Sequence, residues 1–214
     1  TFMHYNLAES TWGEEEINAM RRVIDSDRLT MGEEVKQFES AFAQKFGAQY
    51  AIMTSSGSSA NLVGLASLFF KKENPLKPGD EVIVPSISWA TTYYPLQQYG
   101  LKLKFLDVEL NTLNMDASKL EEALTQKTKM VVAVSILGNP CSLVTIRKFC
   151  DDHGLYLFED NCESMGAELN GRSCGTFGDI GTFSTFFSHH ISTMEGGVIL
   201  TESEELFHLA KSLR

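Results

Sequence analysis

Met130-Val131-Val132-Ala133-Val134-Ser135-Ile136 is a continuous apolar run, followed by the segment Leu143 to His153, Gly154, and Leu155-Tyr156-Leu157-Phe158-Glu159-Asp160. The first run reads as a buried strand, since both of its faces are apolar. The middle segment reads as a helix stopped by Gly154, and the last as a strand that delivers Glu159-Asp160 at its carboxyl end. Strand, helix and strand in that order predict a parallel pair joined by a crossover.

The same rhythm extends in both directions. Upstream, Tyr50 to Thr54 is a short apolar strand, Ser55-Ser56-Gly57-Ser58-Ser59 a small-residue loop, and Ala60 to Phe70 an apolar helix. Glu81 to Val84 is a strand closed by Pro85, and a helix is expected from about Thr91 to Tyr99, with Pro95 in its first turn or kinking it. Leu101 to Phe105 alternates and suits an edge strand, and Asp116 can cap a helix carrying Leu120 and Leu124. Downstream, Asn170-Gly171 is a hairpin signal, and Ile180 to Phe186 and Val198 to Thr201 read as strands. Before all of these, Thr11-Trp12-Gly13-Glu14 reads as a capping box with a helix from Trp12 that carries Ile17, Met20 and Ile24. A second helix carries Val35, Phe38, Phe42 and Phe46 and ends at Gly47. The fold class is therefore α/β, a mostly parallel mixed sheet with helices on both faces. Residues 1–48 are expected to form a helical segment packed on a large domain, 49–214.

Bulk properties narrow the function. The 214 residues suffice for one large domain, and 43% hydrophobic with 21% charged residues is ordinary for a globular chain. A net charge of -10 argues against an extended nucleic-acid surface. No run approaches the roughly 18 apolar residues of a membrane span. The stretch Thr1 to Asn6 lacks the basic and apolar regions of a secretory signal. Cys141, Cys150, Cys162 and Cys174 form no C-x-x-C pair, which fits reduced thiols in a cytoplasmic protein and gives metal binding no support. The chain starts without Met and stops inside an amphipathic helix, Glu204 to Leu213, so a longer protein is expected.

Ligands of such sheets bind beyond the carboxyl ends of the strands, and four features fall there. Ser56-Gly57-Ser58 leads into a helix, where free N–H groups and hydroxyls suit a phosphate; a plain capped turn is the alternative. Trp89 follows the strand closed by Pro85 and could stack on a flat ring or plug the core. Asp160, with Glu163 three residues on, could face a heteroaromatic nitrogen, act as a base, or cap a turn. The fourth is Phe183-Ser184-Thr185-Phe186-Phe187-Ser188-His189-His190, which runs into a Glu195-Gly196-Gly197 turn.

Taken in order, these motifs resemble the DegT/DnrJ/EryC1/StrS sugar aminotransferase family, whose members have the aspartate-aminotransferase-like fold (fold type I). The resemblance extends from about Leu7 to Arg214. It implies that Ser56, Gly57, Ser58 and Ser184 hold the phosphate of pyridoxal 5'-phosphate, that Trp89 stacks on its ring, and that Asp160 pairs with its ring nitrogen. Glu163 then falls beside the cofactor's hydroxyl. One position departs from the family: five residues after Ser184, where a lysine normally bonds the cofactor, stands His189. That change resembles the branch that 3-dehydrates nucleotide-linked 4-keto-6-deoxy sugars, nearest to the GDP-4-keto-6-deoxymannose type. The resemblance implies pyridoxal and pyridoxamine 5'-phosphate as cofactor forms, glutamate as amino donor, His189 as the base, a cytoplasmic homodimer with a shared active site, and a small C-terminal domain beyond residue 214. His190 is the alternative base. An aminotransferase using another lysine finds none between Lys148 and Lys211, and a non-catalytic binding protein on the same fold is the remaining alternative.

Overall fold

The computed structural model describes His4, Asn6 and residues 8–214. Thr1, Phe2, Met3, Tyr5 and Leu7, on which the reading of the N-terminal stretch partly rests, lie outside the described residues. The described chain runs α1 (Glu14–Asp25), α2 (Glu33–Phe46), β1 (Tyr50–Thr54), α3 (Gly57–Phe69), β2 (Glu81–Pro85), α4 (Ala90–Gln98) and β3 (Lys102–Leu106). It continues with α5 (Leu120–Ala123), β4 (Thr128–Val134), α6 (Leu143–His153), β5 (Tyr156–Asp160), β6 (Glu168–Leu169), β7 (Arg172–Ser173), β8 (Ile180–Ser184), β9 (Gly197–Thr201) and α7 (Glu204–Leu213).

Seven strands form one sheet in the order β1-β9-β8-β5-β4-β2-β3. All neighbours are parallel except at β9, which pairs antiparallel with both β1 and β8. A single reversed strand thus makes the sheet mixed, and β1 still ends at the same edge as β8, β5, β4 and β2. Side chains alternate between two apolar layers. On one face Ile52, Val82, Val132, Phe158, Ile180 and Ile199 pack under α3, α4 and α7. On the other, Ile83, Val131 and Leu157 meet α5 and α6. There too Ala51, Phe183, Val198 and Leu200 meet Phe42 and Phe46 of α2. Period-two alternation with both faces covered explains why the central strands read as continuous apolar runs.

Several local expectations shift. The cap of α1 is Gly13, not Thr11: its extended backbone N–H donates to Glu16 Oε2 at 2.7 Å, so the helix starts two residues later than the Thr11 box implies. α3 begins inside the expected small-residue loop, with Ser56 as cap accepting from Ser59 N at 3.0 Å. Asp116 caps a short 3-10 turn, Ala117–Lys119, ahead of the four-residue α5, and Leu124 lies just past it. The hairpin is where Asn170-Gly171 places it, both residues having positive φ (55° and 75°), as a tight two-residue turn requires.

Phe183 is fully buried between the rings of Phe42 and Phe46, with centroids 5.4 and 5.3 Å away. It anchors α2 to β8. Phe183→Ala should lower stability by about 3–5 kcal/mol in urea unfolding; a loss under about 1 kcal/mol would mean that α2 is not held through this ring.

Candidate functional site

A cavity of about 510 Å3 opens at the carboxyl edge of the sheet. That volume suits a cofactor-sized ligand. Its walls come from the ends of β1, β2, β4, β5 and β8 and the turns that follow them. Ser56, Gly57, Ser58, Trp89, Asp160, Glu163, Ser184 and His189 all line it. Eight residues spread from position 56 to 189 therefore converge on one space.

The phosphate end is built by close approach. A Cβ on Gly57 would stand 2.7 Å from Ser184 Cβ and 2.9 Å from Cys162 Sγ. One on Gly197 would stand 2.2 Å from Ser56 O. Only glycine lets the start of α3 touch the ends of β8 and β9. Ser56 satisfies the N–H of Ser59, which leaves those of Gly57 and Ser58 among the unpaired first-turn donors of a thirteen-residue helix. With the Ser58 and Ser184 hydroxyls they form a set suited to an anion.

Trp89 is 72% exposed at the head of α4, which excludes a core-plugging role, and it lines the cavity. Asp160 is 5% exposed. Its Oδ2 accepts from Asn61 Nδ2 at 2.9 Å and Thr92 Oγ1 at 2.8 Å, and its Oδ1 from Cys162 N at 3.2 Å. Glu163 Oε2 accepts from Leu137 N at 2.7 Å and so pins a turn in which Leu137 has φ 53°. A left-handed non-glycine residue of that kind persists only where its surroundings hold it.

His189 follows a turn closed by its own N–H donating to Phe186 O at 2.9 Å. It is half-buried and lines the cavity, whereas His190 is not among the lining residues. Burial pushes the His189 imidazole below its ordinary value; His190 adds to this, and Glu163 and Asp160 oppose it. The ring is neutral at neutral pH, the form a base requires. Burial, Asp160 and Glu163 hold the Cys162 thiol well above its usual range, so it stays protonated and is no nucleophile. Among the described residues no group of three or more His, Cys, Asp or Glu is placed to hold a metal ion.

The sequence places Glu159 beside Asp160 at the strand end but gives it no role of its own. It is wholly buried and points away from the cavity wall, accepting from Gly175 N at 2.7 Å and Gly178 N at 2.5 Å. Burial outweighs these bonds and pushes its carboxyl up to about 7. Asn61 and Thr92 escaped notice, although an Asn inside the otherwise apolar α3 is a readable oddity. The donor set as a whole fits a flat cationic heteroaromatic ring that carries a phosphate.

Two titrations test these environments. His189 followed by NMR should titrate below 6.5, and a midpoint above that would contradict its burial. For Glu159 the folded-state value is raised. Its contribution relative to Glu159→Gln is therefore full below 4.5 and is lost as pH rises through about 7. A stability difference that instead grows across that window would reverse the assignment.

The chain matches the DegT/DnrJ/EryC1/StrS aminotransferase family over residues 10–214. It is 55% identical over 212 residues to a GDP-4-keto-6-deoxy-D-mannose 3-dehydratase of Yersinia pseudotuberculosis, covering 99% of this chain and 54% of that one. Among solved structures, an E. coli GDP-4-keto-6-deoxy-D-mannose-3-dehydratase with bound hydrated PLP superposes with a TM-score of 0.94 at 55% identity, covering 98% of this chain and 54% of that one. A GDP-4-keto-6-deoxymannose-3-dehydratase with a trapped PLP-glutamate geminal diamine gives the same TM-score of 0.94 and 55% identity, over 97% and 54% of the respective chains. The chain spans about half the length of the relatives it matches.

Proposed function

The chain belongs to the DegT/DnrJ/EryC1/StrS aminotransferase family, and on that footing we propose that it is the cofactor-binding part of a pyridoxal phosphate-dependent 3-dehydratase. Its substrate in this reading is a nucleotide-linked 4-keto-6-deoxy sugar, with GDP-4-keto-6-deoxymannose as first choice and glutamate as amino donor. The observation that carries the reading is His189 in the cavity, with no lysine among the lining residues.

When bound, the cofactor supplies an amine to join the sugar ketone and a ring to take up an electron pair. Ser56, Gly57, Ser58 and Ser184 would hold its phosphate, Trp89 one ring face, Asp160 the ring nitrogen and Glu163 the hydroxyl side. Asp160 keeps a positive charge on that nitrogen by presenting a carboxylate to it. An imidazole cannot hold the stable covalent bond that a lysine amine forms with an aldehyde, so His189 leaves the cofactor free to depart and return. As a neutral base, His189 would take the proton from the carbon between ring and amine. With the cofactor ring as electron sink, protonated His189 would hand that proton to the hydroxyl departing from sugar C3, which would leave as water.

Charge supports a shared site. Asp160, Glu163 and Glu195 line the cavity together with His189, yet no Lys or Arg does. A phosphate, a sugar nucleotide and glutamate all bring negative charge. Cations must then come from outside these residues, and we assign them to a second subunit and to the further length that the relatives possess. A cytoplasmic homodimer belongs to the same proposal; among the described residues no helix is long and apolar enough to cross a membrane. A division into a helical segment, 1–48, and a large domain, 49–214, belongs to the same proposal.

The test is an assay of the full-length protein with GDP-4-keto-6-deoxymannose, glutamate and pyridoxal phosphate. His189→Asn should lower turnover by about 10²- to 10⁴-fold, the usual worth of a general acid–base group. Borohydride reduction and peptide mapping should find no cofactor-modified lysine. A lysine adduct would favour an aminotransferase, and failure to bind cofactor a non-catalytic protein.

A further inference from the structure

Asn61 sits on α3, one turn beyond Gly57, and is 3% exposed. Its amide touches three other elements. Nδ2 reaches Asp160 Oδ2 on β5 at 2.9 Å and Thr91 O on α4 at 3.4 Å, and Oδ1 meets Thr182 Oγ1 on β8 at 2.6 Å. The orientation of the amide follows from chemistry. A carboxylate and a carbonyl are both acceptors, so the NH2 group faces them, and the Thr182 hydroxyl must donate to Oδ1. The Thr91 carbonyl needs a donor because Pro95, four residues on, has no N–H to give it.

Thr92 completes the arrangement. Its hydroxyl donates to Asp160 Oδ2 at 2.8 Å and therefore accepts from Ser88 Oγ at 2.9 Å. Every hydrogen bond to Asp160 is thus one in which Asp160 accepts, which suits the ionised carboxylate and uses up Oδ2. Oδ1 is engaged only from Cys162 and is the oxygen left to face a ligand.

We propose that Asn61 and Thr92 are positioning residues that lock Asp160 as an anion, present its Oδ1 to the ring nitrogen of the cofactor, and through Asn61 fix α4, and hence Trp89, against the phosphate-binding start of α3. The inference rests on the functional reading above. Asn61 ties together the elements that would hold phosphate, ring face and ring nitrogen, so loosening it should degrade ring recognition and not only stability.

The experiment titrates the full-length protein with pyridoxal phosphate, following tryptophan quenching and the absorbance of the bound cofactor. Asn61→Leu removes the amide at similar size and should weaken affinity by about tenfold or more, the equivalent of about 1.4 kcal/mol, with a shifted absorbance maximum. Thr92→Val should weaken it by roughly threefold to tenfold, and Thr92→Ser should restore it. If Asn61→Leu does not fold, the Thr92 pair decides alone. Variants that bind with unchanged affinity and spectrum while melting lower would overturn the inference alone. Absence of binding by the unaltered protein would overturn the functional reading and this inference with it.

Discussion

The site depends on one steric constraint. Gly57 begins α3 at a point where Ser184 and Cys162 leave no space for a side chain. Gly197 meets the backbone of Ser56 from the other side. This close approach brings the amino end of a helix against the reversed strand pair β8–β9 and the end of β5. An anion-binding helix start, a buried carboxylate and the turn carrying His189 thereby share one cavity. A methyl group at either glycine would push these elements apart, and the donors would no longer converge.

Electrostatics then divides the roles. Asp160 accepts from the donors of Asn61, Thr92 and Cys162 that surround it. His189, a few residues past β8, is held neutral mainly by burial. In the proposed function, one group fixes charge and the other moves a proton. The neighbouring Glu159 belongs to the frame: its carboxylate closes the Cys174–Gly178 loop behind the sheet. Glu163 links cavity and frame, because the carboxylate on the wall also secures the strained Leu137 turn.

Much of this was readable before any coordinates. Continuous apolar strands such as β4 and β5 announce themselves because helices cover both of their faces. The family resemblance singled out His189 by its count from Ser184, a spacing carried along a single strand and turn. What stayed hidden depends on contacts distant in sequence. Ser55 to Ser59 looks like a loop by composition, since its small residues answer to the packing of Gly57 on Ser184 and have no local signature. Trp89 could have been core or rim until the path of α4 was known. Asn61 looked like one polar residue in an apolar helix, and its three partners lie 30, 99 and 121 residues away. The Thr11 box failed because Glu16 reaches Gly13 first.

In the proposed function, a histidine where a lysine could bond the cofactor turns an aminotransferase scaffold toward removal of a hydroxyl. The fate of the donor nitrogen tests it most directly. With nitrogen-labelled glutamate and GDP-4-keto-6-deoxymannose, the full-length protein should release the label as ammonia and yield a 3-deoxy keto sugar without nitrogen. Label retained in an amino sugar would contradict the account.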